Sequence, residues 1–202
     1  MPSIKYINIL VFILLFSSCN VSSKKEIQIQ TYKRIEDVNI EKSQLILNAS
    51  KGQWFYKGKP FNGYALKYFR NNDLAEKTGY FNGKREGESF AYYSNGNKKK
   101  VAYYSNNKLN GKKMNYYENG TVVTEFNYVD GIPQGVQKTW FPNGQLAKKR
   151  ILNKGVEEGL QQAWLENGKL YVNYEAKNGR IFGMLRANSC YKLEDEKVVR
   201  KD

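Results

Sequence analysis

The sequence predicts an all-β protein: an elongated, antiparallel meander of β-hairpin repeats that forms a largely single-layer sheet. Three observations predict this class. A fixed 24-residue period runs through most of the chain. Tyrosine (16) and phenylalanine (10) are frequent among the 202 residues, and aromatic side chains favour strands. No segment between residues 45 and 190 has the 3.6-residue period of a useful helix. The period is set by Gly63, Gly87, Gly111, Gly135, Gly159 and Gly183.

The same residue types recur after the first five of these glycines. An aromatic residue follows five positions later, as Tyr68, Tyr92, Tyr116, Trp140 and Trp164. Asparagine follows eight positions later, as Asn71, Asn95, Asn119, Asn143 and Asn167. The next residue is glycine, except for Asn72 in the first unit. A period of this length, repeated five times, is typical of a repeat array.

Each repeat is interpreted as one β-hairpin. Asn-Gly between two strand-like segments predicts a two-residue type I′ turn, because both central residues of that turn need positive φ. Stacking of the aromatic rows in neighbouring repeats is expected to stabilise the array. The predicted cross-strand pairs are Tyr117 with Val122, Tyr116 with Val123, Phe141 with Leu146, Leu165 with Leu170, Gly87 with Tyr104 and Gly111 with Tyr128.

The beginning of the chain predicts a bacterial lipoprotein signal. Lys5 precedes the apolar segment ILVFILLF, and two serines lead to Cys19. The apolar segment is too short to span a bilayer as a mature helix, which favours a cleaved export signal. We expect lipid on Cys19 and a place in the cell envelope, with the membrane and leaflet left open. An ordinary secretory signal is the alternative.

Four segments follow from this interpretation. Residues 1–18 are the signal peptide and residues 19–44 a polar tether from the lipidated cysteine. Residues 45–190 form the repeat array, which a capping hairpin at 44–63 begins, and residues 191–202 form a charged tail. If Cys19 carries lipid, Cys190 has no partner within the chain. A free structural cysteine is favoured, and pairing between chains is the alternative.

Composition limits the function classes. The chain has no histidine, which removes the commonest general base, and its acidic residues show no patterned pair. We therefore expect no enzymatic activity, no cofactor and no metal site. The net charge is +14. For an exported chain this charge fits an acidic protein, an acidic glycan or anionic lipid better than nucleic acid.

A candidate binding surface lies on the aromatic rows. The residues singled out for it are Tyr92, Tyr116, Trp140, Trp164 and Lys138. Exposed rings interspersed with cations are able to hold a glycan, a peptide or an acidic protein. The alternative is that these rings serve the packing of the repeats.

The repeat unit resembles the MORN-repeat variant of bacterial proteins described as YwqK-like antitoxins. The segments that carry the resemblance are YYENGTVV (116–123), WFPNGQLAKK (140–149) and NGKREG (82–87). It implies an open antiparallel meander of hairpins and supplies no catalytic residues. MORN proteins act as interaction and membrane-associated scaffolds, so a binding or scaffold lipoprotein is the first hypothesis. An antitoxin or immunity protein that neutralises a toxin is the alternative.

Overall fold

The computed structural model describes residues 33–184, 191–194 and 197–200. In this part of the chain the secondary structure consists of β-strands and one short 3-10 helix, Lys42–Gln44. The strands are β1 (Asn39–Glu41), β2 (Ile46–Asn48), β3 (Gln53–Tyr56), β4 (Lys59–Pro60), β5 (Gly63–Tyr68), β6 (Leu74–Phe81), β7 (Lys84–Tyr92), β8 (Lys98–Ser105), β9 (Lys108–Tyr116), β10 (Val122–Val129), β11 (Ile132–Pro133), β12 (Gly135–Trp140), β13 (Leu146–Asn153), β14 (Val156–Glu157), β15 (Gly159–Trp164), β16 (Leu170–Lys177), β17 (Arg180–Met184), β18 (Tyr191–Glu194) and β19 (Lys197–Arg200).

The main sheet is an open meander of 14 strands. From β5 to β17 each strand pairs antiparallel with the strand that precedes it and the one that follows, apart from the short strands β11 and β14 at the sheet's edge. β1 lies beside β5 in parallel, with Ile40 opposite Ala65. The predicted all-β meander of hairpins is confirmed. No helix of the described residues is long and apolar enough to cross a membrane.

The Asn-Gly turns close three-residue loops. In the third repeat, the Gly120 N–H donates to the Tyr117 carbonyl at 2.9 Å, and the Tyr117 N–H donates to the Thr121 carbonyl at 2.8 Å. The Asn119 side-chain oxygen accepts the Thr121 N–H at 3.0 Å, and Gly120 has φ of +88°. This is a type I turn completed by a residue in the left-handed region, so the predicted type I′ turn is wrong here.

The loop length changes the register beside the turn. The observed pairs are Tyr116 with Val122, Trp140 with Leu146 and Trp164 with Leu170, instead of the predicted partners Val123 for Tyr116, Phe141 for Leu146 and Leu165 for Leu170. The three-residue loop shifts the pairing by one residue. A β-bulge between Val122 and Thr124 in the following strand reverses this shift, so pairs farther from the loop have the predicted register. Gly87 therefore faces Tyr104 and Gly111 faces Tyr128, as predicted.

Two-residue type I′ turns form the opposite end of each hairpin. Asn82 and Gly83 have φ of +49° and +73°, and the residues that flank them, Phe81 and Lys84, are paired. The same two positive φ values recur at 106–107, 130–131, 154–155 and 178–179. The type I′ geometry therefore belongs to the second turn of the repeat, where asparagine, aspartate or lysine comes first.

Hydrogen bonds join neighbouring repeats. The N–H of the second residue in a type I′ turn donates to a carbonyl of the preceding repeat at 2.7–3.0 Å: Gly83 to Phe61, Asn107 to Arg85, Gly131 to Leu109 and Gly155 to Pro133. The described residues show no ring pair between Tyr92, Tyr116, Trp140 and Trp164, so the expected stacking is wrong. These rings lie two strands apart, roughly 9–10 Å, beyond the separation of packed rings.

A second sheet of β2, β3 and β4 covers the beginning of the main sheet. The predicted cap at 44–63 is present, but it has three strands instead of the two of a hairpin. The Trp54 N–H donates to the Gly83 carbonyl at 2.7 Å. The Asn107 side-chain amide donates to the Gly52 carbonyl, also at 2.7 Å. The cap is thus fastened to two type I′ turns of the main sheet.

The hydrophobic core lies between this cap and the main sheet. Its buried members are Ile40, Leu45, Phe61, Ala65 and Tyr80, with Trp54 and Tyr56 packed against them. Ile40 belongs to residues 19–44, the segment interpreted as a tether, whose described end therefore packs on the sheet. In residues 191–202, interpreted as a charged tail, β18 and β19 pair with each other. Cys19 and Cys190 lie outside the described residues.

Candidate functional site

The pairing of strands determines which side chains share a face of the main sheet. We call the side on which the core lies the cap face. One cross-strand row of this face contains Ala65, Thr78, Ser89 and Ala102. The neighbouring row contains Glu76, Ala91, Lys100 and Asn115. Polar and charged residues therefore lie side by side on the cap face, next to the core.

By strand alternation the residues predicted as a binding surface lie on the opposite face, and only Tyr92 also borders a cavity of the cap face. Tyr92, Tyr116, Trp140 and Trp164 occupy the last strand position before each three-residue loop, and Lys138 lies two residues before Trp140. All five are half-buried. The Tyr92 ring stacks on Phe90 with 6.3 Å between centroids, and the Tyr116 hydroxyl contacts Met114 Sδ at 3.3 Å. The structure aligns these residues along the array and brings only Lys138 and Trp140 close together.

A cavity of about 460 Å³ lies on the cap face, beside the core. It is bounded by the cap on one side and by β6, β7 and β8 on the other. Its lining residues are Lys42, Leu47, Gly52, Trp54, Glu76, Thr78, Tyr80, Arg85, Ser89, Phe90, Lys100, Tyr104 and Asn107.

A second cavity of about 400 Å³ continues from the first toward the three-residue loops. The two cavities share Glu76 and Lys100. The second is lined by Lys67, Tyr68, Phe69, Ala75, Glu76, Ala91, Tyr92, Lys99, Lys100 and Asn115. Tyr92 is the one residue of the predicted surface among these lining residues. We call the two cavities together the basic groove.

The carboxylate of the groove is already paired. Lys42 Nζ lies 2.6 Å from Glu76 Oε2. The hydrogen bond from Lys42 is the main cause that holds the pKa of Glu76 below its ordinary value, with burial acting in the opposite direction. Because Lys42 neutralises Glu76, the remaining cations of the groove lack a carboxylate of their own among the lining residues.

Lys100 is the cation that both cavities share. Burial lowers the pKa of its ammonium group; Glu76 counteracts this, and the positive charges of Lys113, Lys42 and Arg85 add to it. The ammonium has no hydrogen-bond acceptor in the described part of the chain. A half-buried cation surrounded by other cations is costly to keep charged, and a bound anion would relieve that cost.

Aromatic rings form the walls near the cap. The rings of Trp54 and Tyr80 meet edge to face, with centroids 6.4 Å apart. The guanidinium of Arg85 lies over the Tyr104 ring, 4.4 Å from its centroid. Tyr80 is only 2% exposed, and this burial raises the pKa of its hydroxyl to about 12. The Tyr80 hydroxyl therefore remains neutral near pH 7, while the charge of the groove comes from lysine and arginine.

Two hydroxyl groups lie in the floor of the groove. Thr78 Oγ1 and Ser89 Oγ are 2.9 Å apart and hydrogen-bonded to each other on adjacent strands. Both residues are buried. No group of three or more histidine, cysteine, aspartate or glutamate side chains able to hold a metal ion occurs in the described residues. The chemistry that the groove offers is thus positive charge, hydroxyl groups and aromatic surface.

The sequence interpretation missed most of these residues. Lys42, Glu76 and Lys100 are far apart in the chain, and only the pairing of β6, β7 and β8 brings them together. The triplet Lys98–Lys100 is visible as a cluster of charge. The bulge at Lys99 lets Lys99 and Lys100 both line the groove, whereas Lys98 pairs with Tyr92. The sequence signal that was available is Lys100. Once the bulge at Lys99 is taken into account, Lys100 falls in the same cross-strand row as Ala91 and Glu76.

Comparison with known families finds the MORN repeat variant. Its family model matches three consecutive stretches, residues 85–106, 109–130 and 133–152. Each stretch begins in or just before the first strand of a hairpin and extends through its three-residue loop into the second. The first includes Arg85, Lys100 and Tyr104 of the basic groove. In these three stretches the chain is similar to the MORN repeat variant. None of the curated proteins matches the chain significantly.

Proposed function

We propose that this chain is a non-enzymatic binding module of the bacterial cell envelope, anchored by lipid on Cys19, which holds its partner in the basic groove. The observation that carries the proposal is that two neighbouring cavities, both lined by Glu76 and Lys100, form one groove on a face of the repeat sheet. A groove of this size with a few convergent polar groups is the usual form of a binding site.

The architecture supports binding because it holds the groove in a fixed shape. The cap is fastened to the turns at Gly83 and Asn107, and each following repeat is bonded to the one before it. Little ordering of the backbone is then needed when a partner binds, which favours affinity. The only lining carboxylate, Glu76, is occupied by Lys42, which fits a role in shaping the groove.

Affinity capture from envelope extracts of the producing bacterium tests the proposal. The bait is the full mature chain, compared with the variant Lys67→Gln/Lys99→Gln/Lys100→Gln. A matched control removes three lysines outside the groove, Lys148→Gln/Lys149→Gln/Lys169→Gln. We expect a partner that the wild type and the control retain and the groove variant loses. A partner retained equally by all three proteins would contradict the proposal.

Two further outcomes concern the anchor and the alternative function. Labelling with a fatty-acid analogue should mark the wild type and leave Cys19→Ala unlabelled, whereas label that persists in Cys19→Ala would contradict lipidation at that residue. Neutralisation of a toxin stays the alternative prediction. A captured protein that kills cells when it is expressed alone, and not when it is expressed with this chain, would favour it.

A further inference from the structure

We infer that the ligand of the basic groove is an acidic oligosaccharide, whose anionic groups contact the lysines and whose sugar rings lie against the aromatic walls. The inference rests on the proposed function and specifies the class of ligand. It is carried by three properties of the groove: an excess of cations, neutral hydrogen-bonding groups between them, and exposed ring surface.

The charge of the lining requires an anionic ligand. The cations are Lys42, Lys67, Arg85, Lys99 and Lys100, and Glu76 is the only acidic residue among them. Lys42 is bound to Glu76, and the other four cations, none of which has a carboxylate partner among the lining residues, are distributed over both cavities. An extended ligand with several separate charges matches this distribution, whereas a compact anion would contact only one end of it.

The groups between the cations are suited to hydroxyl-rich molecules. Asn107 lines the first cavity and Asn115 the second, and the hydroxyl pair of Thr78 and Ser89 lines the first. Such groups both donate and accept hydrogen bonds, as sugar hydroxyls do. These groups already bond within the protein, but the hydroxyl pair keeps one donor and several lone pairs for a sugar hydroxyl.

The aromatic walls supply the third property. Trp54 and Tyr104 line the first cavity, and Tyr68 and Phe69 line the second. Apolar C–H faces of sugar rings pack against aromatic rings, while sugar hydroxyls remain available to polar groups. Trp54 in the first cavity and Phe69 in the second therefore provide ring surface for at least two sugar units, joined across Glu76 and Lys100.

Titration calorimetry with the full mature chain tests this assignment. The probes are oligogalacturonate, which carries carboxylates, a heparin-derived oligosaccharide, which carries sulfates, a neutral malto-oligosaccharide and inorganic polyphosphate. We expect binding of at least one acidic oligosaccharide, and no binding of the neutral one. Lys100→Gln should raise the Kd about tenfold, as expected for loss of a charge-assisted hydrogen bond. The exposed Lys169→Gln should leave the Kd unchanged.

Trp54→Ala and Trp54→Phe separate recognition of sugar rings from attraction of charge. Truncation to alanine should weaken binding of the acidic oligosaccharide, and phenylalanine should retain most of it. Thermal unfolding of each variant shows whether the fold is intact; if Trp54→Ala is unfolded, the comparison uses Tyr104→Ala instead. Equal affinity for polyphosphate together with no effect of ring removal would overturn the inference.

The failure of this inference is distinguishable from failure of the proposed function. If no acidic oligosaccharide binds while envelope capture still depends on the groove lysines, the ligand class is wrong and the binding function stands. If acidic oligosaccharides bind with the same affinity to Lys67→Gln/Lys99→Gln/Lys100→Gln, the groove is not their site, and the inference is overturned.

Discussion

The Tyr93 hydroxyl donates a hydrogen bond of 2.8 Å to the backbone carbonyl of Tyr116, in the next hairpin. The Tyr117 hydroxyl makes the equivalent contact with the carbonyl of Trp140 at 3.3 Å. The second aromatic residue of the repeat thus connects neighbouring hairpins, while the first covers one face of its own hairpin. This division of tasks explains why the aromatic pair recurs with the period of the repeat.

Replacing Tyr93 with phenylalanine should lower the free energy of unfolding by about 1 kcal/mol, because it removes one partly buried hydrogen bond. The ring itself is compatible with the position, since Phe69 and Phe141 occupy it in other repeats. Urea denaturation measures the effect. Tyr117→Phe removes a longer bond and should cost less. Equal stability of Tyr93→Phe and the wild type would contradict the role of this hydroxyl.

Gln161 is only 1% exposed, and its side-chain amide bonds to the backbone of Ile151 on the neighbouring strand β13. Its amide nitrogen donates to the Ile151 carbonyl at 2.8 Å, and its side-chain oxygen accepts the Ile151 N–H at 3.3 Å. Gln161→Ala leaves the Ile151 N–H unsatisfied, while the Ile151 carbonyl keeps the Glu158 N–H at 3.0 Å. The substitution should destabilise the protein by about 1–3 kcal/mol. The exposed Gln145→Ala should change stability by less than about 0.5 kcal/mol. A similar small effect for both variants would contradict this account.

The three-residue loops make a prediction about glycine. Gly120 has φ of +88°, and a Cβ atom there would meet nothing within 4 Å. Gly120→Ala should therefore cost about 1–2 kcal/mol through backbone strain alone. Gly120→Asn should cost less, because Asn72 occupies the same position of the first repeat with φ of +66°. Thermal unfolding checks the order; equal losses for alanine and asparagine would contradict it.

The Lys42–Glu76 pair predicts how stability depends on pH. The pKa of Glu76 in the folded protein is below its ordinary value of 4.5, so the unfolded chain takes up a proton first as the pH falls. The pair therefore stabilises the fold above about pH 4.5 and loses this contribution as the pH falls through the folded-state pKa. Unfolding between about pH 3 and 6 should show a smaller loss in Lys42→Gln. Identical pH profiles of variant and wild type would contradict it.

Much of the fold could be predicted from the sequence, because the same pattern of residues recurs in each repeat and indicates the same hairpin each time. The period, the hairpins, the cap and the position of Tyr128 opposite Gly111 were all predictable. The loop type was not, because Asn-Gly suits both a type I′ turn and a type I turn followed by a left-handed glycine. The observed protein uses both, at 82–83 and at 119–120.

The candidate site was much less predictable. The sequence suggested a surface of aromatic residues and one lysine: Tyr92, Tyr116, Trp140, Trp164 and Lys138. The basic groove depends instead on Lys42, Trp54 and Glu76, which the cap, the short 3-10 helix and β6 bring together. No local pattern marks such a site, since its residues come from different repeats and from the segment before them. Sequence periodicity reveals the residues that all repeats have in common. The groove lies between the cap, which does not follow the repeat pattern, and the first repeats.

The three tryptophans of the chain provide the most direct test of the central claim, that the ligand binds in the basic groove. Trp54 lines the groove, and Trp140 and Trp164 lie outside it on the opposite face. Their indole N–H signals are to be assigned in a ¹⁵N–¹H NMR spectrum by single Trp→Phe variants and followed during titration with the acidic oligosaccharide. We predict that the Trp54 signal shifts and that the other two remain unchanged. A shift of Trp140 or Trp164 with an unaffected Trp54 would contradict the claim.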